Sequence, residues 1–388
     1  MKNSSRKINW LVILILVAVV IATSLPMYYF RIMSGANGDY SNHLVWTYDL
    51  LSGEPWPMAS KSHPLLQILL AGLSWISRSW IDPFPGMIAL LVVLQLVVAL
   101  FLYFWFGKLN RKRGDWIRAL AAFSLTIITP VLALIPLDHK YFYGYIAMAD
   151  YHNPTIQVLR PLALISFYIA YRVFEKPRNP VWTIIVSAVI VILSALAKPN
   201  YLLCILPAIF LLGIIWSIRK QKWDWRLYLF GFFLPGVLVL FVQWRLLYAS
   251  SSATGVLFNS LALSNFSNYL LWKFLLSIFF PLVATCLLFK KVVKDPYVLL
   301  GWIGFVVGAG MFYLITEGGS RIDSSNFTWG AQIMLFLLMA ALIRFCLRLF
   351  TEENTATWKR LAIWGAYLLH VVSGVVYYIY CITGMLYT

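Results

Sequence analysis

Long apolar runs separated by short polar ones dominate the pattern along this chain. Stretches of 17 to 25 apolar residues recur from end to end, each long enough as a helix to cross ~30 Å of hydrocarbon. Read in order, the spans fall at residues 8–30, 87–106, 116–137, 156–174, 181–197, 201–218, 227–247, 269–289, 297–316, 329–347 and 361–387. The pattern therefore predicts an all-α polytopic membrane protein of about 11 transmembrane helices. It forms a single integral membrane domain over 1–388, with no internal repeat and no linker to a soluble domain.

One apolar stretch, 64–80, is left out of that count because of charge. If it crossed, the cluster Lys108, Arg111, Lys112, Arg113 and Arg118 would face outward, against the excess of Lys and Arg expected on cytoplasmic loops. It is short and carries Gln67, Ser74, Ser77 and Arg78, so it reads as a helix lying at the interface. With it outside, 22 of the 31 basic residues fall on the cytoplasmic side, and eight of the 14 acids fall outside. That places the N-terminus in the cytoplasm and the C-terminus outside, in a multi-pass protein of the cell membrane. The first outer loop, 31–85, is then the longest segment that does not span.

Composition agrees: 61% of the 388 residues are hydrophobic and only 12% charged, too few polar groups to cover a soluble domain of this size. The net charge of +17 is explained by the positive-inside clusters, so no nucleic-acid partner is expected. The four cysteines lie in apolar runs without metal or disulfide spacing.

The candidate chemistry gathers on the outer side. Residues 39–51 read as a helix ended by Gly53 and Pro55, with Asp39, His43 and Trp46 on one face and Tyr40, Leu44, Tyr48 and Leu51 on another. A carboxylate, an imidazole and an indole on one face suit a polar substrate such as a sugar. The same spacing also suits a loop helix that Asp39 merely caps. His63 precedes a helix start at Pro64. Further on, Asp150 and His152 stand before Asn153-Pro154, where Asn153 can cap and Pro154 can open the next span. Arg160 lies two turns in. With Lys198 and Arg321, and the helix N-termini at the outer surface, it would line an anion-attracting vestibule. A divalent metal shared by Asp39, His43, His63, Asp150 and His152 is conceivable chemically, but their spacing matches no ligand motif. His139 reads as a solvated loop residue, and His370 as a hydrogen-bonded packing residue.

At this point the first outer loop resembles a known pattern. Asp39 just past the first span, then Leu50-Leu51-Ser52-Gly53-Glu54-Pro55-Trp56, then His63-Pro64-Leu65-Leu66, resemble elements of the GT-C superfamily of membrane glycosyltransferases. The protein O-mannosyltransferase-like and aminoarabinose transferase-like branches are the most similar. Leu65 departs from the second proline usual in the last element, and Ala197-Lys198-Pro199 is similar to a Lys-Pro found at the outer end of a middle helix. The resemblance covers the first ~110 residues well and the topology to about residue 220, so that 1–220 reads as a conserved-type module and 221–388 as additional helices that agree only as a helical bundle. It implies an inverting transfer of a sugar from a polyprenyl-phosphate donor to a lipid-linked or envelope glycan acceptor on the outer side. Asp39 would be the general base, Asp150 or His152 would orient the acceptor or supply a second acid, and Lys198, Arg321 and Arg160 would face the leaving phosphate. The rival reading is a transporter or flippase for a lipid-linked glycan, which would want ionisable groups near mid-membrane.

Overall fold

The computed structural model describes residues 9–33, 39–56, 61–77, 81–107, 109, 113–141, 144–149, 151–248, 255–258, 267–318 and 326–384. In chain order the helices are α1 (Trp10–Met33), α2 (Tyr40–Ser52), α3 (Leu65–Ile76), α4 (Pro83–Trp105), α5 (Gly114–Ile127), the single turn α6 (Ile135–Asp138), α7 (Pro154–Glu175), α8 (Val181–Ala197) and α9 (Asn200–Ile218). Then come α10 (Leu234–Tyr248, running on from the π-helical Leu227–Phe233), α11 (Leu270–Ser277), α12 (Phe279–Val292), α13 (Pro296–Leu314), α14 (Thr328–Glu352) and α15 (Thr357–Thr383). A short antiparallel ribbon pairs β1 (Val256–Phe258) with β2 (Ile315–Glu317), Leu257 opposite Thr316.

Among the described residues, eight helices are long and apolar enough to cross a membrane, nine if the bent pair α11–α12 is one span. The chain is thus an all-α protein of the multi-pass membrane class. Three of the long helices begin the same way, with an Asp or Asn cap followed by proline. Asp82 accepts from Phe84 N at 2.9 Å, Asn153 from Thr155 N at 2.9 Å and Asp295 from Val298 N at 3.1 Å. Proline fits there because the first helical N–H has no partner in any case.

The bundle is built around α14, in which every residue from Thr328 to Ile343 is buried. Against it α13 brings Gly301, Gly304 and Gly308, where a Cβ would press on Leu338, Met334 and Ala331 respectively. Small residues at this spacing let two helix backbones approach closely, the main source of association where lipid is as apolar as the side chains. By contrast α1 and α8 turn Leu11, Leu14, Trp182 and Ile185 outward, as faces bathed by lipid would.

Two of the expected spans are not continuous helices. The stretch 116–137 is helical only to Ile127; Ile128 is extended, residues 129–132 are irregular, and α6 follows after a turn. Pro130 explains the break, since it drives Thr129 out of the helical region and offers no N–H. The stretch 269–289 is bent by 62° between α11 and α12. Here Pro281 sets the position: its ring conflicts with the carbonyl four residues back, on Ser277, where α11 ends.

The two breaks lie side by side and satisfy one another. Val131 N donates to Leu276 O at 3.2 Å and Ile146 N to Ser277 Oγ at 3.0 Å. His370 on α15 spans both, its Nδ1 2.8 Å from Thr129 O and its Nε2 accepting from Phe280 N at 3.2 Å. Irregular backbone survives at membrane depth only when protein supplies such partners. His370 is therefore the packing histidine its apolar neighbours predict.

Candidate functional site

The expected site residues that are described converge where the end of α1, α2 and α3, the start of α7, the end of α8 and the start of α14 meet. Backbone contacts assemble it. Arg31, buried at the end of α1, donates from Nε to Tyr151 O at 3.1 Å, and Asp39 N donates to His152 O at 3.1 Å. These bonds pin residues 151–153 between the first long helix and α2, joining segments more than a hundred positions apart.

Asp39 sits at the N-cap position of α2, yet its side chain makes no capping bond. Its Oδ2 instead accepts from Asn153 Nδ2, and the half-exposed group has no other side-chain partner among the described residues. The capping alternative is thus not what the carboxylate does. Asn153 caps α7 with its other atom: Oδ1 receives Thr155 N at 2.9 Å and Thr155 Oγ1 at 2.5 Å. Lys198, which follows the last residue of α8, donates from Nζ to Thr155 Oγ1 at 3.2 Å and lies 4.1 Å from the centre of the Trp329 ring. Lys198 and Thr155 are both buried.

α2 runs to Ser52 and ends at Gly53 in the left-handed conformation, as its sequence predicts. The buried stripe is Tyr40, His43, Leu44 and Thr47, so Tyr48 and Leu51 from the expected apolar face are exposed. The helix is half-sunk, and its phase is set by His43. The His43 and Trp46 rings meet edge to face at 4.9 Å, and Gln67 Nε2 of α3 lies 2.6 Å from His43 Nδ1. Burial, with His63 and Lys198 nearby, pushes the His43 imidazole down to about 3 from its ordinary 6.5. It is neutral at physiological pH, accepts from Gln67 through Nδ1 and carries its proton on Nε2.

His63 stands next to this cluster, half-buried, with Nδ1 2.8 Å from Ser62 Oγ. The loop holding it is tied to the end of α8 by Gln243 of α10, whose Nε2 donates to Ser62 O at 2.6 Å and to Ala195 O at 2.8 Å. His152 contributes its carbonyl to Asp39 and is half-buried.

Arg160 lies within α7, beyond its first turn. It is 1% exposed, its guanidinium donates to Met148 O and lies over the Phe336 ring at 5.1 Å. Its visible work is to hold the 144–149 segment onto α7. Asp150 and Arg321 lie outside the described residues. Among those described, no three His, Cys, Asp or Glu side chains gather as metal ligands.

Sequence reasoning passed over Arg31, Gln67, Thr155, Gln243 and Trp329. Thr155 had a readable signal, a hydroxyl two residues after a capping Asn. The others are known only by what they face. Chemically, the cluster offers a carboxylate with one oxygen engaged, a neutral imidazole, an ammonium and a helix N-terminus, all at one end of the bundle. Compared with the known protein families and with curated proteins, the chain matches none.

Proposed function

We propose that the protein is an inverting glycosyltransferase that moves a sugar from a polyprenyl-phosphate donor to an acceptor hydroxyl on the outer side of the cell membrane. The reading takes the eleven-crossing path, with a cytoplasmic N-terminus and α2 and α3 lying along the outer interface; α3, at 12 residues, extends about 18 Å, short of the hydrocarbon thickness. The observation that carries it is the state of Asp39: a half-exposed carboxylate held by one oxygen at the N-terminus of α7 and linked through Asn153 and Thr155 to Lys198.

In the reaction, Asp39 takes the proton of the acceptor hydroxyl as that oxygen bonds to the anomeric carbon. The bond from that carbon to the phosphate oxygen breaks from the opposite face, and polyprenyl phosphate leaves with the electron pair. A lipid phosphate needs no proton to depart, so the positive potential of Lys198 and the α7 N-terminus suffices to stabilise it. His43, His63 and Trp46 offer an indole face and imidazole edges to a sugar ring.

The test is purified protein in detergent, given polyprenyl-phosphate-linked radiolabelled hexoses and pentoses. The expected result is release of polyprenyl phosphate from at least one of them, by transfer or by slow hydrolysis. Movement of the intact donor across proteoliposomes with no cleavage of any would contradict the reading and favour a flippase.

A further inference from the structure

The polar chain from Lys198 to Asp39 admits one direction at every link. The Lys198 ammonium can only donate, so Thr155 Oγ1, 3.2 Å away, accepts from it. The Thr155 backbone N–H can only donate, so the Asn153 atom 2.9 Å away is the amide oxygen. That oxygen also receives the Thr155 hydroxyl proton at 2.5 Å, which turns the Asn153 NH₂ group onto Asp39 Oδ2. An ionised carboxylate can only accept.

We infer that Asn153 and Thr155 are positioning residues for Asp39, and that Lys198 acts on the base through them. This rests on Asp39 being the base. The clamp fixes the rotation of the carboxylate and occupies Oδ2, leaving Oδ1 to meet the acceptor hydroxyl. The ammonium at the far end polarises each link toward the carboxylate. Lys198 thus belongs to the proton-accepting side as well as to the phosphate side.

Asn153 does two jobs, and one substitution separates them. Asn153→Asp keeps an oxygen to cap α7, so helix stability is retained. It cannot donate to Asp39, and it sets a like charge against it. Thr155→Val removes the hydroxyl at constant shape, and Thr155→Ser restores it.

The experiment uses the full-length protein and the radiolabelled polyprenyl-phosphate sugar that the wild type cleaves. Expected are a kcat about 100-fold lower for Asn153→Asp and about tenfold lower for Thr155→Val, with donor KM within about threefold of wild type and Thr155→Ser near wild type. Wild-type kcat in Asn153→Asp, or Thr155→Ser as impaired as Thr155→Val, would overturn the inference. Asp39→Asn runs in parallel: if it transfers normally, the base assignment fails first; if it is inactive while the other variants are normal, only the positioning role fails.

A substrate-free arm tests the contact itself. In Asn153→Asp two carboxylates face each other, so its Tm should fall relative to wild type as pH rises from 5 to 8, and adding Asp39→Asn should remove the fall. Wild-type and Asn153→Asp curves that stay parallel would overturn it.

Discussion

Two buried histidines occupy two differently built polar clusters. His370 has both ring nitrogens committed to main-chain groups, Thr129 O and Phe280 N, that helix breaks at two prolines leave without helical partners. His43 is also buried, but its partner is a side chain, Gln67, and its neighbours are His63, Lys198 and the indole of Trp46. The first cluster closes on itself: every donor and acceptor it gathers is consumed by the fold. The second keeps side chains whose polar ends face one another at one end of the bundle, with Asp39 half-exposed beside them. Burial of a titratable group does not by itself mark a site. What separates the two is whether its partners are backbone groups that must be satisfied or side chains that the fold has no need to bring together.

The comparison is broken most severely by removing His370. His370→Leu strands the Phe280 N–H and the Thr129 carbonyl inside the bundle, each at about 1–3 kcal/mol. Thermal unfolding of the purified variant should show a clear drop in Tm, and sugar transfer by the fraction that stays folded should be near wild type. A variant as stable as wild type would mean that the two breaks do not depend on the imidazole.

His43 gives the smaller effect, and its sign follows from its folded state. The folded imidazole titrates at about 3 and the unfolded one near 6.5, so between those values the unfolded chain holds the extra proton. Stability from this group is intact above pH 6.5 and is lost as pH falls toward 3, at up to about 1.4 kcal/mol per pH unit. Wild-type Tm should therefore decline on acidification from pH 7 to 4 more steeply than that of His43→Gln. Equal slopes would show that His43 is not held neutral.

Much of this was legible in the sequence because it depends on neighbours in the chain. The long spans, the Gly53 stop of α2 and the Asn153-Pro154 start of α7 all follow from local pattern. Asp39 and Lys198 were legible as charges beside the ends of apolar helices. That they belong to one chain of hydrogen bonds was not, because Asn153 and Thr155 are brought to them only by the packing of α1, α7 and α8. Arg160 was legible as a charge two turns into a span, but its bond to Met148 O and its place over the Phe336 ring were not, because packing alone brings those partners to it. The two broken spans had local signals in Pro130 and Pro281. Hydropathy averaged over a span hides them, since proline in an apolar run changes the mean little.

The central claim is that Asp39 is the base of an outward-facing sugar transfer. Its most direct test compares wild type and Asp39→Asn for binding and turnover of the same polyprenyl-phosphate sugar. The account predicts that transfer falls by about 10³-fold or more, while Tm and donor affinity stay near wild type. Full transfer by Asp39→Asn would contradict it.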